Sequence, residues 1–595
     1  MSSIITRPHK WWKEATGYQI YPASFKDTNG DGIGDLNGIT ESLDYLKALG
    51  VDFIWISPVY ESPDYDMGYD ISDYEKISSK YGSMEDMDNL IREAKARGLR
   101  VLMDLVVNHT SHHHRWFQES KKSRTNPYSD WYIWRDPIYT ETGERKPPSN
   151  WQGVFGGSTW TYVPERDQYY FHLCLEEQPD LNWDNQETRK AIYASAAEFW
   201  LKKGVDGFRV DLVNAYCKNQ AFPDAPVVNS KQEVQPLPLE HVINGPKMHE
   251  WLKEERTEVL DRYGDDVVLI GELPATDRSE VLNYVSAESR ELNMTIDFGL
   301  FIAGNHWSLK MHDMRRHKLP ELKDAIALTQ GLVTGVNAWT TTFLENHDSA
   351  RSLDHFGPGE GEYTVPAAKL LALFATTLSG TLIIYQGQEI GMANIPKDTW
   401  KEDDFKDQVI LRYFREIEET YPGDAAMKEK AFQAALQRGR DNTRTPMQWS
   451  SESPHGGFTT GTPWLRVNPN YEKINVASQL GDEHSVLAFW KAAVASRKQY
   501  PDIFIHGEYQ VVDAGNEKTF SFWKKGLGGK ESAFVVLNFS SEQADNPLPT
   551  DDDTSSLQLL ISNTDKKQYD PLSAPLEPWE GRVFIKREST SITTF

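Results

Sequence analysis

Residues 83–107 read SMEDMDNLIREAKARGLRVLMDLVV and contain one copy of the unit that decides the fold. Ser83 is a good helix N-cap, and the apolar side chains after it recur at helical spacing, at Met87, Leu90, Ile91 and Ala94. Gly98 ends the predicted helix, and the mostly apolar run 99–107 is typical of a parallel strand covered on both faces. The stretch therefore predicts a helix followed by a buried strand.

The same unit returns along most of the chain. Another helix carries Ile192 and Trp200 on one face and ends at Gly204, and residues 205–213 form the next strand. The sequence predicts eight strands, near 19–21, 51–58, 101–107, 207–212, 267–272, 295–298, 341–345 and 382–385. Strands and helices in this alternation favour an α/β fold, a (β/α)₈ TIM barrel. A doubly wound open sheet is the alternative, but no segment resembles its Gly-rich phosphate-binding turn.

Two stretches depart from this alternation. Residues 110–182 follow the third strand and are rich in Trp, Pro, Gly and Tyr, so they are predicted to form a small inserted domain. Residues 503–595 contain short alternating segments separated by turns, which favour a C-terminal β-sandwich. The barrel is then assigned to residues 1–109 and 183–502, with a helical insertion near 395–460.

Composition limits the partners of this 595-residue chain. Its formal net charge of −25 disfavours nucleic acid and anionic membranes, whereas a neutral substrate is compatible with it. The first residues lack the apolar run of a signal peptide, and Thr, Ser and Gly interrupt the most apolar stretch, 370–385. We expect a cytoplasmic protein without a membrane span, either a monomer or a weak homo-oligomer. Cys174 and Cys217 are expected to be unpaired core thiols, and a single bridge between them is the alternative.

Polar side chains end four of the predicted strands. They are Asp104 with Asn108 and His109, Asp211 preceded by Arg209, Glu272, and the run Asn346, His347 and Asp348. Catalytic side chains of a (β/α)₈ barrel come from the carboxyl ends of several strands, so these groups are predicted to meet in one site. A single carboxylate after a strand is most often a helix cap, but four together need charged partners, which Arg209 and the histidines can supply.

Seven short segments resemble those of a known enzyme family. The four signature segments of the α-amylase superfamily (glycoside hydrolase family 13) are similar to DLVVNH (104–109), GFRVD (207–211), GE (271–272) and ENHD (345–348). Its α-glucosidase and oligo-1,6-glucosidase branch is similar in DMGYD (66–70), QPDLN (178–182) and RDNTRTPMQ (440–448). The resemblance covers nearly the whole chain. It implies an enzyme that removes terminal α-linked glucose from short oligosaccharides such as maltose.

The resemblance also implies a retaining mechanism with three carboxyl groups. Asp211 is then the nucleophile, Glu272 the general acid and base, and Asp348 the carboxylate that stabilises the oxocarbenium-like transition state. Retention requires the first two groups to lie about 5–5.5 Å apart. Asp211 has to stay ionised, which Arg209 favours, and Glu272 needs a raised pKa to hold its proton near neutral pH.

The sugar-binding residues are likewise implied by the resemblance. The polar partners of glucose are expected to be Asp70, His109, Gln178, Arg209, His347, Arg440 and Arg444, with Tyr69 and Phe155 as aromatic walls. Asp70 and Arg444 are expected to close the far side of the pocket, which makes the enzyme exo-acting. A structural ion pair is the alternative role for Arg440 and Arg444.

Leu212, directly after the predicted nucleophile, is expected to face the leaving group. In enzymes of this branch Thr at this position accompanies α-1,4 preference, Val accompanies α-1,6 preference, and Ala accompanies mixed activity. Leu matches none of them, so the preference among α-1,4 links, α-1,6 links and sucrose stays open. Packing of Leu212 against the neighbouring domain alone is the alternative.

The loop 27–35, DTNGDGIGD, places oxygen ligands at alternate positions, as calcium sites do. It begins like an EF-hand loop but has Gly38 where the Glu at position twelve would stand. From the residues alone, a turn stabilised by Asx side chains is an equally good interpretation. The resemblance implies a structural Ca²⁺ held by Asp27, Asn29, Asp31, Asp35 and the Ile33 carbonyl.

Three other functions fit parts of the pattern. A sucrose isomerase or transglucosylase would use the same carboxyl groups and differ in which molecule captures the glucosyl intermediate. A non-enzymatic, transporter-associated relative is disfavoured by the intact set Asp211, Glu272 and Asp348. An endo-acting α-amylase is disfavoured by the closed pocket that the resemblance implies.

Overall fold

The strands of the predicted barrel form one parallel sheet in the computed structural model, which describes residues 10–230, 232–305, 310–452, 454–547, 556–564 and 572–587. The eight strands are β1 (Thr16–Ile20), β2 (Phe53–Ile56), β3 (Arg100–Leu105), β4 (Gly207–Val210), β5 (Val268–Glu272), β6 (Met294–Ile296), β7 (Thr341–Thr342) and β8 (Thr381–Tyr385). Each overlaps or adjoins its predicted position. The expected lack of a signal peptide concerns residues 1–9, which lie outside the described residues.

The sheet closes on itself between β6 and β7. Its strand order is β6-β5-β4-β3-β2-β1-β8-β7, so these two strands are the ends of the order. Thr295 in β6 forms a parallel bridge with Thr340, and Thr341 Oγ1 donates to Thr295 O at 2.9 Å. Closure in this order is that of a (β/α)₈ barrel, so the predicted fold is confirmed and the open doubly wound sheet is wrong.

Helices cover the barrel and extend its connections. The helix predicted after Ser83 is confirmed, with Met87, Leu90, Ile91 and Ala94 buried and Ser83 and Asp86 forming a capping box. A π-helical turn, Tyr193–Glu198, joins two of the α-helices before β4. The α-helices are Trp11–Glu14, Leu36–Glu41, Leu43–Leu49, Met84–Ala96, Arg115–Ser120, Gln186–Ile192, Phe199–Lys203, Met248–Glu258, Arg278–Val285, Leu319–Gln330, Ser352–His355, Thr364–Thr377, Gln408–Thr420, Ala425–Arg438, Asp441–Arg444, Val476–Gln479, Val486–Gln499 and Pro501–Phe504.

Residues 110–182 carry small antiparallel sheets and share an aromatic core with the segment 212–243 that follows β4. One sheet contains Trp134–Arg135, Gln168–Phe171 and Trp160–Val163, and another pairs Ile138–Tyr139 with Arg145–Lys146. A further pair, Tyr60–Glu61 with Asp73–Ile77, follows β2. The buried Lys218 ammonium group pairs with Asp180 of this region and donates to Asn108 Oδ1, beyond β3, at 2.6 Å. The inserted residues are therefore anchored beside the strand ends that carry the predicted catalytic groups.

The C-terminal residues form a five-stranded antiparallel sheet. Its strands, in spatial order, are Glu508–Val511, Thr519–Lys525, Glu531–Asn538, Gly581–Arg587 and Leu557–Ser562. One face contributes Phe520 and Val535 to the main hydrophobic core, and the other buries Trp523 and Phe534 in a separate cluster. Both faces are thus covered, as predicted for a β-sandwich.

Two further expectations concern buried apolar positions. Cys174 and Cys217 are buried free thiols, as predicted. The apolar stretch 370–385 is the second half of helix Thr364–Thr377 followed by β8, and both elements are buried. Within the described part of the chain, no helix combines the length and apolarity that crossing a membrane requires.

Candidate active site

The predicted catalytic carboxyl groups lie together at the carboxyl ends of the barrel strands. Asp211 directly follows β4, Glu272 is the last residue of β5, and Asp348 follows β7. Asp211 and Glu272 are only 6% and 8% exposed. Because bulk water scarcely reaches them, neighbouring charges and hydrogen bonds set their protonation states.

The Arg209 guanidinium group contacts two of these carboxyl groups, Asp211 and Glu272, and a third acidic side chain, Asp104. Its Nη1 donates to Asp104 Oδ1 at 2.6 Å and to Asp211 Oδ1 at 2.7 Å, while Nη2 pairs with Glu272 Oε2 at 2.8 Å. Trp55 Nε1 holds the second oxygen of Asp104 at 2.8 Å. The Arg209 side chain is 1% exposed and positions these carboxyl groups.

The carboxyl groups of Asp211 and Glu272 differ in pKa. Burial, opposed by Arg209, raises the pKa of Asp211 to about 6. Burial, opposed by Arg209 and reinforced by the charges of Asp211 and Asp348, raises the pKa of Glu272 to about 8. Near pH 7 the pair therefore carries one proton, which resides mainly on Glu272. This is the division that a nucleophile and a general acid need.

The two carboxyl groups are also close enough for a retaining reaction. Both contact the Arg209 guanidinium group, Asp211 at 2.7 Å from Nη1 and Glu272 at 2.8 Å from Nη2, so they lie side by side. Inverting glycosidases instead keep their carboxyl groups about 6.5–9.5 Å apart to admit a water molecule. Glu272 Oε2 is further fixed by the Leu212 N–H at 3.0 Å.

Asp348 is kept ionised by two guanidinium groups. Arg440 Nη1 donates to Asp348 Oδ1 at 2.9 Å, and Arg444 Nη2 donates to the same oxygen at 3.3 Å. Burial opposes the charge, but His347, Arg440 and Arg444 hold the pKa of Asp348 well below its usual range. Arg440 also donates to both oxygens of the buried Asp407, at 2.8 and 2.6 Å. Sequence reasoning missed Asp407, since it follows no barrel strand and carries no motif.

His347 and Tyr69 form a stacked pair next to Asp348. Their rings are parallel with centroids 5.4 Å apart, and Tyr69 Oη lies 2.6 Å from His347 Nε2. Burial lowers the pKa of His347 to about 3, so the ring is neutral. Gln19 Nε2 lies 2.8 Å from His347 Nδ1 and donates to it, which leaves the proton on Nε2, facing Tyr69 and Asp348.

Asp70 does not face the pocket, which corrects the expectation that it closes the far side with Arg444. Its buried carboxylate accepts bonds from Ser62 Oγ and from the Tyr65 and Asp66 N–H groups, each at 3.0 Å. These bonds stabilise the turn 62–66, while Arg444 pairs with Asp348 instead.

Asp66 takes the position that Asp70 was expected to fill. Its Oδ2 accepts a bond from Gln178 Nε2 at 3.0 Å. Burial raises the pKa of Asp66, and the nearby Arg440 and Arg444 oppose this shift. Gln178 Nε2 is also 3.1 Å from His109 Nε2. These buried groups close the far side of the site. The motif DMGYD contains both aspartates, and spacing alone does not distinguish which one turns inward.

Leu212 and Phe155 lie on the side of the inserted residues, where Leu212 packs against the aromatic cluster and Phe155 lines a cavity. Leu212 has a left-handed backbone with φ 41°, and its half-buried side chain packs against the aromatic core of the insertion. The Phe155 ring lies 5.9 Å from the Arg440 guanidinium carbon. A cavity of about 480 Å³, lined by Phe155 and Asp348 among others, opens on this side. Its volume is in the range of small-molecule sites.

The loop predicted to bind calcium is folded by its own side chains. Asp27 Oδ1 accepts from the Asn29 and Gly30 N–H groups, Asn29 Oδ1 from Asp31, and Asp31 Oδ1 from Ile33, at 2.7–3.0 Å. Within the described residues no group of three or more His, Cys, Asp or Glu side chains is assembled for a metal. The predicted set also uses an amide and a carbonyl oxygen, and such hard oxygen donors fit Ca²⁺ by their chemistry.

A carboxyl pair that shares one proton beside a third, ionised carboxylate is what a glycosidase uses to break a glycosidic bond with retention, so fold and site define the protein as a glycoside hydrolase. Residues 19–507 match the family model described as alpha amylase, catalytic domain. The chain therefore belongs to the α-amylase family.

Named relatives extend over nearly the whole chain. An α-glucosidase of Candida albicans is 45% identical over 97% of this chain and 99% of its own length. An oligo-1,6-glucosidase of Saccharomyces cerevisiae is 41% identical over 97% and 98%. The solved trehalulose synthase of Pseudomonas mesoacidophila is 38% identical with a TM-score of 0.87, over 97% of this chain and 100% of that one.

Exchanging each aspartate of the 66–70 motif for asparagine distinguishes their roles. We expect Asp66→Asn to lower kcat/KM for an α-glucoside by roughly ten- to a hundredfold at an unchanged melting temperature, because a charged hydrogen-bond partner in the pocket is lost. Asp70→Asn is expected to lower the melting temperature instead, because the turn 62–66 loses an acceptor. Calorimetry and steady-state kinetics on both variants measure this. The reverse pattern would show that Asp70 faces the sugar.

The pH profile of kcat/KM should be bell-shaped with limbs near pH 6 and pH 8. Activity rises as Asp211 loses its proton and falls as Glu272 loses its own. With p-nitrophenyl α-glucoside, whose leaving group needs no proton, Glu272→Gln should retain the acid limb and lose the alkaline limb in pre-steady-state release of nitrophenol. An alkaline limb that persists in this variant assigns it to another group.

Proposed function

We propose that the protein is a retaining, exo-acting α-glucosidase that removes one glucose at a time from the non-reducing end of short oligosaccharides such as maltose. The observation that carries this proposal is the closed far side of the site, where Asp66, Gln178 and His109 are buried against one another. A sugar ring next to Asp211 has no path beyond them, so only a chain end fits. The full-length relatives named α-glucosidase and oligo-1,6-glucosidase support the same activity.

The reaction proceeds in two displacement steps. The Asp211 carboxylate attacks the anomeric carbon while Glu272 gives its proton to the departing glycosidic oxygen, which forms a glucosyl ester and releases the aglycone. Glu272, now ionised, takes a proton from a water molecule that attacks the same carbon. The ester bond breaks, α-glucose leaves, and Glu272 is again protonated.

Neighbouring side chains set the charge and the position of the catalytic carboxyl groups before these steps. Arg209 keeps Asp211 ionised and fixes both carboxyl groups on one guanidinium. Asp348, ionised by Arg440 and Arg444, stabilises the positive charge that develops on the ring in the transition state. The stacked rings of His347 and Tyr69 lie beside Asp348, with His347 Nε2 3.1 Å from its Oδ2.

Linkage preference is the finer part of the proposal. Leu212 is the candidate selector, because it follows the nucleophile and reaches the wall of the inserted residues. Named relatives include both α-glucosidase and oligo-1,6-glucosidase, so isomaltose and sucrose are the alternative substrates. Glucose release from maltose, isomaltose and sucrose at low concentration ranks the three. Isomerised or longer products at high sucrose would indicate a transglucosylase.

The covalent intermediate is tested by Asp211→Asn. We expect turnover of maltose to fall by more than about a thousandfold while glucose still protects the variant against thermal unfolding, because the shape is kept and the nucleophile is lost. Mass spectrometry of the wild type with a slow fluorinated glucoside should find the ester on the peptide that contains Asp211. A variant with activity within tenfold of wild type rules out this nucleophile.

We further propose a structural Ca²⁺ in the loop 27–35, held by Asp27, Asn29, Asp31, Asp35 and the Ile33 carbonyl. The loop contacts the segment that follows Arg444: Thr459 donates to Asp27, and Asp27 N donates to Phe458 O at 2.9 Å. A bound ion would therefore stabilise the junction between these two segments. The buried free thiols Cys174 and Cys217 support a reducing, cytoplasmic location.

Chelation tests the ion. Removing Ca²⁺ with a chelator should lower the melting temperature, and adding Ca²⁺ back should restore it, because the folded loop alone binds the ion. Asp31→Ala should melt at the lower temperature with or without chelator. A wild-type melting temperature that chelation leaves unchanged, together with an unaffected Asp31→Ala, contradicts the proposal.

A further inference from the structure

Two arginines, Arg412 and Arg438, line the cavity beside Asp348. Arg412 lies on helix Gln408–Thr420 and Arg438 ends helix Ala425–Arg438, so both come from the helical insertion after β8. Within the described residues, neither guanidinium group makes a salt bridge, and Arg412 Nε is buried without a hydrogen-bond partner. Arg440, in contrast, forms salt bridges with both Asp348 and Asp407.

Their burial makes this arrangement costly. Both side chains are half-buried, and burial lowers the pKa of Arg438 with no carboxylate offsetting it. A guanidinium group withdrawn from water is stabilised by an anionic partner, which the described part of the protein does not provide. Such donors are therefore available for a ligand.

Other cationic side chains, Lys310 and Arg316, lie near the two arginines. The carboxylates in the cavity wall are already engaged, Glu416 with Lys310 at 2.5 Å and Asp348 with Arg440 at 2.9 Å. Arg316 lies on the same side as Arg438, as does the half-buried Asp354. Burial, together with nearby charges that include Arg438, lowers the pKa of His317 to about 4 and that of His355 to about 3, so both rings are neutral at pH 7. In a chain with a net charge of −25, this wall is a local cationic surface next to the catalytic carboxylates.

We propose that Arg412 and Arg438 form a subsite for an anionic group, a carboxylate or phosphate, on the aglycone of the glucoside. The inference rests on the proposed α-glucosidase activity and narrows its substrate class to glucosides whose leaving portion is acidic. With glucose held between Asp66 and Asp211, the aglycone extends past Asp348 into this cavity. The two guanidinium groups then bind its anion by charge-assisted hydrogen bonds.

Matched substrates test the subsite with the linkage held constant. Maltobionate and maltitol both carry glucose α-1,4-linked to an open-chain unit, and they differ in a carboxylate against a hydroxymethyl group. Maltose with a phosphate on its reducing unit, compared with maltose, tests phosphate in the same way. We expect kcat/KM to favour the anionic member of at least one pair by about fivefold or more, and the preference to fall with added salt.

Variants assign the preference to the two side chains. Arg412→Gln and Arg438→Gln should each reduce the ratio of anionic to neutral kcat/KM by about fivefold, whereas Arg412→Lys should retain much of it. Arg415→Gln removes the same charge from an exposed position on the same helix and should leave the ratio within about twofold. Melting temperatures of all variants identify any that fail to fold, and the salt dependence of the wild type tests the subsite independently of them.

The outcomes distinguish failure of the proposed subsite from failure of the proposed α-glucosidase activity. Hydrolysis of maltitol and maltose without preference for either anionic partner overturns the subsite and leaves the α-glucosidase assignment intact. A preference that survives both glutamine variants places the anion elsewhere and also overturns it. Failure to hydrolyse any of these four sugars, with isomaltose and sucrose also left intact, overturns the proposed function itself.

Discussion

The buried guanidinium group of Arg209 is the interaction on which the site depends. It contacts Asp104, Asp211 and Glu272 at 2.6–2.8 Å and has no access to solvent. Without it, three carboxyl groups would meet in a medium of low dielectric constant, and their repulsion and desolvation would push all of them towards the neutral form. Because one guanidinium charge offsets only part of the charge of three carboxyl groups, one of the carboxyl groups retains a proton near pH 7. The catalytic division of labour between Asp211 and Glu272 follows from that imbalance.

The barrel supplies this constellation, whereas its insertions supply the shape of the pocket. The strand ends hold Asp211, Glu272 and the approach to Asp348 on a rigid frame. The inserted residues 110–182 bring Phe155 and Gln178, and the long connection after β8 brings Asp407, Arg440 and Arg444. Chemistry and selectivity are thus carried by different parts of the chain, a division that allows the walls to vary while the carboxyl groups stay in place.

The fold and the positions of the catalytic carboxylates could be predicted from local patterns, because apolar runs mark the strands and each carboxylate lies at or beyond the end of such a run. The role of each carboxylate was predicted from the resemblance to the α-amylase superfamily. The walls of the pocket could not be predicted in the same way. Asp66 and Asp70 are four residues apart in one turn, and only the fold of that turn decides which carboxylate is used by backbone N–H groups. Arg412 and Arg438 lie on helices, and Asp407 caps the first of them; tertiary packing decides how these helices are oriented towards the barrel.

The left-handed backbone at Leu212 links substrate choice to folding free energy. With φ 41° and ψ 41°, the residue turns the chain sharply after β4, and its N–H donates to Glu272 Oε2 at 3.0 Å. A side chain other than glycine in this conformation costs of order 1–3 kcal/mol, and β-branched residues fit it least well. A change to Thr or Val at this position would therefore alter the leaving-group wall and strain the turn that orients the acid at the same time. Evolution of linkage specificity here is coupled to stability, and it would be expected to proceed together with compensating changes in the aromatic core of the insertion.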